Sequence, residues 1–191
     1  GNSSNNDVLT PHAVSFSGSS NPISLHAGRN EFCAQLDNGS AACWGENAEG
    51  QFGLGNTTSQ TSPISLTLPT GRTVASMSVS KDFMCMALDN GSIVCAGRNT
   101  EYQLGQGTQS ARETSWKYVI GLDMVAHTVE LGQDVGCAHL VNGSMVCWGE
   151  DAWGLFGNST TSYTSRVAST ATQYANFGNG RTAASISLNY R

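Results

Sequence analysis

Charge is scarce in this chain: of 191 residues only 12% are Asp, Glu, Lys or Arg, and the nine basic ones never gather into a run. Nucleic acid binding needs clustered Lys and Arg to displace the counterions of the phosphates, so a formal charge of -5 without a basic patch excludes nucleic acid as an expected partner. Long hydrophobic runs are missing too. No stretch approaches the roughly 18 to 20 apolar residues that cross a bilayer, and no charged segment followed by an apolar one opens the chain, so membrane insertion by this segment is not expected. Nucleophile-elbow, phosphate-loop and zinc-protease motifs are also lacking, and no cofactor is expected. The opening GNSSNN has no initiator Met, as expected of a processed or trimmed chain.

What is abundant is glycine, 22 residues, among many Ser, Thr and Asn, with 39% hydrophobic residues. Many short strands joined by tight turns have this profile, and the chain reads as all-β. Its organisation is periodic. Cys33, Cys85 and Cys137 recur every 52 residues, and Cys43, Cys95 and Cys147 keep the same interval. Upstream of each first cysteine apolar residues alternate: Ile23, Leu25 and Ala27; Ala75, Met77 and Val79; His127, Val129 and Leu131. Ala184, Ile186 and Leu188 begin a fourth such segment. Period-two alternation predicts a strand with one apolar face.

The cysteines of each copy flank Asp37-Asn38-Gly39, Asp89-Asn90-Gly91 or Val141-Asn142-Gly143, and two hairpin registers compete. A two-residue Asn-Gly loop would put Cys33 and Cys43 on opposite faces. A three-residue loop with Gly39 in the left-handed conformation places them directly opposite, at about 4.5 to 5.5 Å between Cα atoms, within disulfide reach. Six cysteines in three equivalent pairs therefore predict disulfides Cys33–Cys43, Cys85–Cys95 and Cys137–Cys147, and an oxidising, extracellular compartment. Six reduced buried thiols are the alternative. Zinc is disfavoured by the absence of short ligand spacings. Asn-X-Ser/Thr acceptors at Asn2, Asn38, Asn56, Asn90, Asn142 and Asn158 fit secretion and glycosylation, although Asn-Gly-Ser at three hairpin tips is also simple turn chemistry.

After the second cysteine the chain reads WGENAEGQFGLGNT, AGRNTEYQLGQGT and WGEDAWGLFGNST, then polar linkers to short strands expected at Ser65 to Leu68, Trp116 to Ile120 and Ser165 to Thr170. Trp44 and Trp148 are expected between layers, because both faces of the strand that precedes them are apolar and stacked sheets must cover them. His12, His26, His127 and His139 share no metal-ligand spacing; His26 is expected to face solvent, and no metal site is expected. Glu46, Glu150 and Asp151 are the carboxylates available for acid–base work, but nothing in their spacing brings two of them together.

The run Cys33, Leu36, Gly39, Cys43, Trp44, Gly45, Asn47, Gly50, Gln51, Phe52 and Gly53 resembles the regulator of chromosome condensation repeat. Copy two departs from it at Ala96 and Tyr102, and copy three at Asp151, Leu155 and Asn158. The resemblance covers essentially the whole chain and implies β-propeller blades of four antiparallel strands. The cysteine-paired form is similar to the extracellular propellers of crinkly-type receptor kinases and of secreted proteins. It implies a last strand of a preceding blade within 1–22, around Ala13 to Phe16, blades at 23–70, 71–122 and 123–179, and the first strand of a further blade at 180–191. That is about 3.7 repeats, whereas the family usually closes with seven blades in about 364 residues.

An open arc exposes apolar faces and strand edges, so copies of the chain, the rest of a longer chain or a strand-donating partner is expected to cover them. The function expected is a non-catalytic structural or protein-interaction scaffold, self-assembling as a closed dimer or a filament. The alternative is a receptor ectodomain or secreted inhibitor acting through blade loops, as a related secreted propeller inhibits β-lactamases. Trp153, Phe156 and Tyr102, in the loops after the second cysteine strand, are the expected interaction residues.

Overall fold

The computed structural model describes residues 10, 12–151, 154–157 and 167–188. Among these residues twelve strands form three four-stranded antiparallel sheets, each built in chain order. The first holds β1 (Pro22–Ala27), β2 (Glu31–Leu36), β3 (Ala41–Gly45) and β4 (Gln60–Ser65). The second holds β5 (Val74–Val79), β6 (Phe83–Leu88), β7 (Ile93–Arg98) and β8 (Arg112–Tyr118). The third holds β9 (Ala126–Leu131), β10 (Val135–Leu140), β11 (Met145–Glu150) and β12 (Val167–Tyr174). These are propeller blades, and they stack face to face.

The cysteine hairpins take the three-residue register. Cys33 pairs with Cys43, Cys85 with Cys95 and Cys137 with Cys147, each as directly opposed residues with Cα atoms 4.1 Å apart and a disulfide between them. Gly39, Gly91 and Gly143 carry φ values of 78°, 78° and 80°. These left-handed turns are open to glycine at no steric cost. A side chain there would also strike the next blade, since a Cβ on Gly39 would lie 2.7 Å from Thr73 and one on Gly91 2.3 Å from Val125. The turn carbonyl is itself the joint: Val74 N–H donates to Gly39 O, Ala126 N–H to Gly91 O and Ala183 N–H to Gly143 O.

The core lies in the seams between blades. Between the first two, Met77, Met84, Met86, Leu88 and Val94 pack against Cys33, Cys43, Phe52 and Leu66. Between the second and third, Phe83, Ile93 and Leu104 pack against Val129, Leu131, Leu140, Val146 and Trp148. Each seam receives one indole on the same loop glycine. Trp148 of β11 covers Gly105 and donates from Nε1 to Gln103 O at 2.9 Å. Copy two has Ala96 where Trp148 stands in copy three, and Trp116 of β8 supplies the missing ring, covering Gly53 and donating to Thr67 O at 2.8 Å.

Three sequence expectations need correction. Two outer strands lie earlier than expected, β4 at 60–65 and β8 at 112–118, and the third, β12 at 167–174, lies later. They sit on the blade rim, half exposed, where no apolar alternation marks their ends. Ala13 to Phe16 forms no strand; Phe16 instead lies edge-on to Trp44 with ring centroids 5.9 Å apart. Ala184 to Leu188 forms no strand either, although the segment docks on the third blade. His139 Nε2 lies 2.9 Å from Ala183 O, and Ile186 and Leu188 pack on the cluster around Val135 and Phe156. A last strand pairs with the third strand of its own blade and a first strand with the second, and among the described residues neither segment has that neighbour.

Candidate interaction surfaces

The first strands of successive blades lie side by side, and a cavity of about 430 Å³ opens along them. It is lined by His26, Ser78 and Glu130, which occupy one repeat position, together with Arg29, Lys81 and Leu131. His26 does not simply face solvent as expected; it is half-buried, bonded to Ser24 Oγ at 2.9 Å, and burial lowers its pKa. Burial likewise raises the Glu130 carboxyl. Lys81 pairs with Asp82 at 3.2 Å, whereas Arg29 and Glu130 have no ion pair among the described residues.

The loops after the second cysteine strand are held by one side chain per copy. Asn47 Oδ1 accepts from Phe52 N, Asn99 Oδ1 from Leu104 N and Asp151 Oδ1 from Phe156 N, at 2.9, 3.2 and 3.0 Å. Asp151 thus organises its loop. No group of three His, Cys, Asp or Glu able to hold a metal ion occurs among the described residues.

Of the expected interaction residues, Phe156 is corrected: it is 2% exposed and packs on Val135, Cys137 and Cys147. It occupies the position of Phe52 and Leu104, and their burial follows from the same loop bond. Trp153 lies outside the described residues, as do Asn2 and Asn158. Tyr102 is half-buried with a φ of 58°, where the sister copies have Gly50 at 74° and Gly154 at 73°. A non-glycine residue in this conformation costs roughly 1 kcal/mol. Tyr102→Gly is therefore expected to raise stability by about 1 kcal/mol in urea denaturation, and a loss of stability would show that the ring contributes more packing than the backbone strains.

Asn38, Asn90 and Asn142 are exposed at their hairpin tips, with Oδ1 accepting from the N–H of Ser40, Ser92 and Ser144. Asn56 is exposed and accepts from Thr58 N–H in the same way. A residue missed from the sequence is Glu31, fully buried in β2. The signal was present, since the same repeat position holds Phe83 and Val135.

The outer face of the first blade is an accessible apolar surface. Leu25 is 61% exposed, whereas Met77 and Val129 at the same repeat position are 1% and 0% exposed beneath a preceding blade. Ile23, at 61%, and Phe32, at 43%, extend that face beside Trp44, on which Phe32 stacks at 5.8 Å.

Residues 38–87 match the family model described as the Regulator of chromosome condensation (RCC1) repeat. The fold is similar to that of yeast RCC1 (Prp20), solved with Kap60 bound: TM-score 0.68, 18% identity, 82% of this chain and 37% of that one. Human WBSCR16 gives a TM-score of 0.68 at 19% identity, over 84% of this chain and 43% of that one. The ectodomain of the receptor kinase CR4 of Physcomitrella patens gives 0.51 at 16% identity, over 90% and 37%. The chain therefore spans well under half the length of the structures it matches, and at these identities the likeness is one of fold. One RCC1-type repeat is thus matched in sequence, within an arc that has the fold of RCC1-type propellers.

Proposed function

We propose that this chain is a secreted, glycosylated, non-catalytic scaffold that works by protein–protein contact, through self-assembly at the ends of its arc. The observation that carries this reading is the exposure of Leu25 at a position buried in both sister blades. A face shaped to receive another blade is an interaction surface, covered by a second copy or by further blades of a longer chain. Three disulfides support an oxidising, extracellular setting. Yeast RCC1, solved with Kap60 bound, is a relative in fold that takes a protein partner. The formal charge of -5 argues against nucleic acid.

The test is the intact mass and assembly state of the natural material under non-reducing conditions, by mass spectrometry and electron microscopy. Dimers or filaments of the glycosylated protein are expected, and Leu25→Asp is expected to dissociate them. A much longer chain forming one closed propeller would overturn self-assembly. Glycosylation has its own readout: enzymatic removal of N-glycans from natural material is expected to lower the mass and leave Asp at one or more of positions 38, 56, 90 and 142.

The second reading, a receptor ectodomain or secreted inhibitor, is favoured by the cavity lined by Arg29 and Glu130, which make no ion pair among the described residues. A monodisperse monomer with a saturable soluble ligand, lost in Arg29→Ala, would select it.

A further inference from the structure

The two seams are closed differently at one repeat position. Between the second and third blades, Ser80 Oγ donates to Gly132 O at 2.5 Å, a hydroxyl-to-carbonyl bond that no ordinary pH disturbs. Between the first and second blades the donor's place is taken by Gly28, and Ser80 O stands where Gly132 O stands in the next seam. Gly28 has no side chain to reach it. A Cβ built on Gly28 would lie 2.3 Å from Glu31 Oε1 and 2.6 Å from Ser80 O, so both oxygens converge on the space that a serine side chain would fill.

Glu31 is fully buried, and among the described residues its Oε1 accepts no hydrogen bond. Its Oε2 accepts from Asn30 N–H at 2.8 Å, and the Gln51 side chain also reaches the carboxyl. Two acceptor oxygens facing each other in a buried site repel, unless one of them carries a proton. We infer that Glu31 is protonated in the folded arc and donates from Oε1 to Ser80 O, a pH-sensitive latch across the first seam.

The surroundings favour the neutral acid. Glu46, held by Asn30 Nδ2 at 2.7 Å, faces the carboxyl from the loop after β3, and Asp82 faces it from the turn after β5. Asp82 is itself paired with Lys81 at 3.2 Å and Arg98 at 3.5 Å, so those cations are engaged with it. Burial foremost, and then the repulsion from Glu46 and Asp82, push the Glu31 pKa up to about 7. A carboxyl whose pKa is raised on folding contributes stability that is complete below its unfolded value and lost as pH rises through the folded one. The window here runs from 4.5 to about 7.

Glu31→Gln keeps the shape, supplies a permanent Nε2–H donor and removes the titration. The wild type is expected to lose on the order of 100-fold in its folding equilibrium constant, relative to Glu31→Gln, between about pH 4.5 and 7.5. Parallel pH profiles of the two proteins would overturn the latch. Should the variant fold poorly, the ¹³C shift of the Glu31 carboxyl reads the same proton in the wild type. Titration near neutrality supports the latch; titration in the ordinary carboxylate range overturns it. All profiles are taken in chelator and repeated with calcium. Stabilisation by calcium with Glu31 ionised would mean a cation fills the site, and would equally overturn the proton assignment.

Discussion

Trp148→Ala is expected to destabilise the protein by about 3 to 5 kcal/mol and to part the third blade from the second. Trp148 is fully buried among Phe83, Leu104, Val129 and Leu131. Its ring lies against Gly136 and Gly105 at distances that would exclude a Cβ on either. Truncation would leave a cavity in the seam and Gln103 O without its indole donor. Hydrogen exchange would show the result as early opening of Val135–Leu140 and Met145–Glu150 while the first seam stays protected. Trp116→Ala is expected to cost less, because that ring is only half-buried in its own seam. Equal losses at both positions would mean that the arc unfolds as one body, without separable seams.

Cys85→Ser with Cys95→Ser is expected to cost roughly 3 kcal/mol from the freed loop alone, and more than the same change in either outer blade. The reason is the position of the hairpin. Every residue of β6 is buried, as is every residue of β7 but Arg98. Alternate residues serve different seams: Cys85, Ala87 and Cys95 face the second, and Met84, Met86 and Val94 the first. Loosening this hairpin therefore weakens both joints at once. Cys33 and Cys43 serve only the first seam, and Cys137 and Cys147 pack on the far face of the third blade. Calorimetry under non-reducing conditions is expected to show one broadened, lowered transition for the middle pair. For an outer pair it should show a separate early step. Identical traces for all three would contradict the dependence on position.

The disulfides were legible because two independent constraints met, the 52-residue interval and the side-chain alternation that only one turn length satisfies. The outer strands were not, because rim residues such as Thr61, Ser62 and Ser65 answer to solvent rather than to a core. Trp116 was hidden for another reason. It replaces a ring missing at Ala96 from a different strand, which aligning copies position by position cannot reveal. The candidate surfaces divide the same way. The exposed tips at Asn38, Asn90 and Asn142 follow from turn chemistry. Phe156 looked like an anchor because its neighbour Trp153 departs from the repeat, whereas its own position is apolar in every copy. Glu31 could have been found by the opposite test, a charged residue at a position that is otherwise apolar.

The hairpin tips also bear on how the molecule ages. An Asn-Gly pair is the dipeptide most prone to deamidation, in which the glycine nitrogen attacks the preceding side-chain carbonyl and leaves a lengthened, isomerised backbone. Here each of those nitrogens is tied back, Gly39 to Leu36 O, Gly91 to Leu88 O and Gly143 to Leu140 O. The side-chain oxygens of Asn38, Asn90 and Asn142 are held by the serine two residues on. The nucleophile and its target are thus each engaged while the hairpin stays folded. Chemical damage should then record past unfolding: isoaspartate at 38, 90 or 142 would mark each hairpin that had opened.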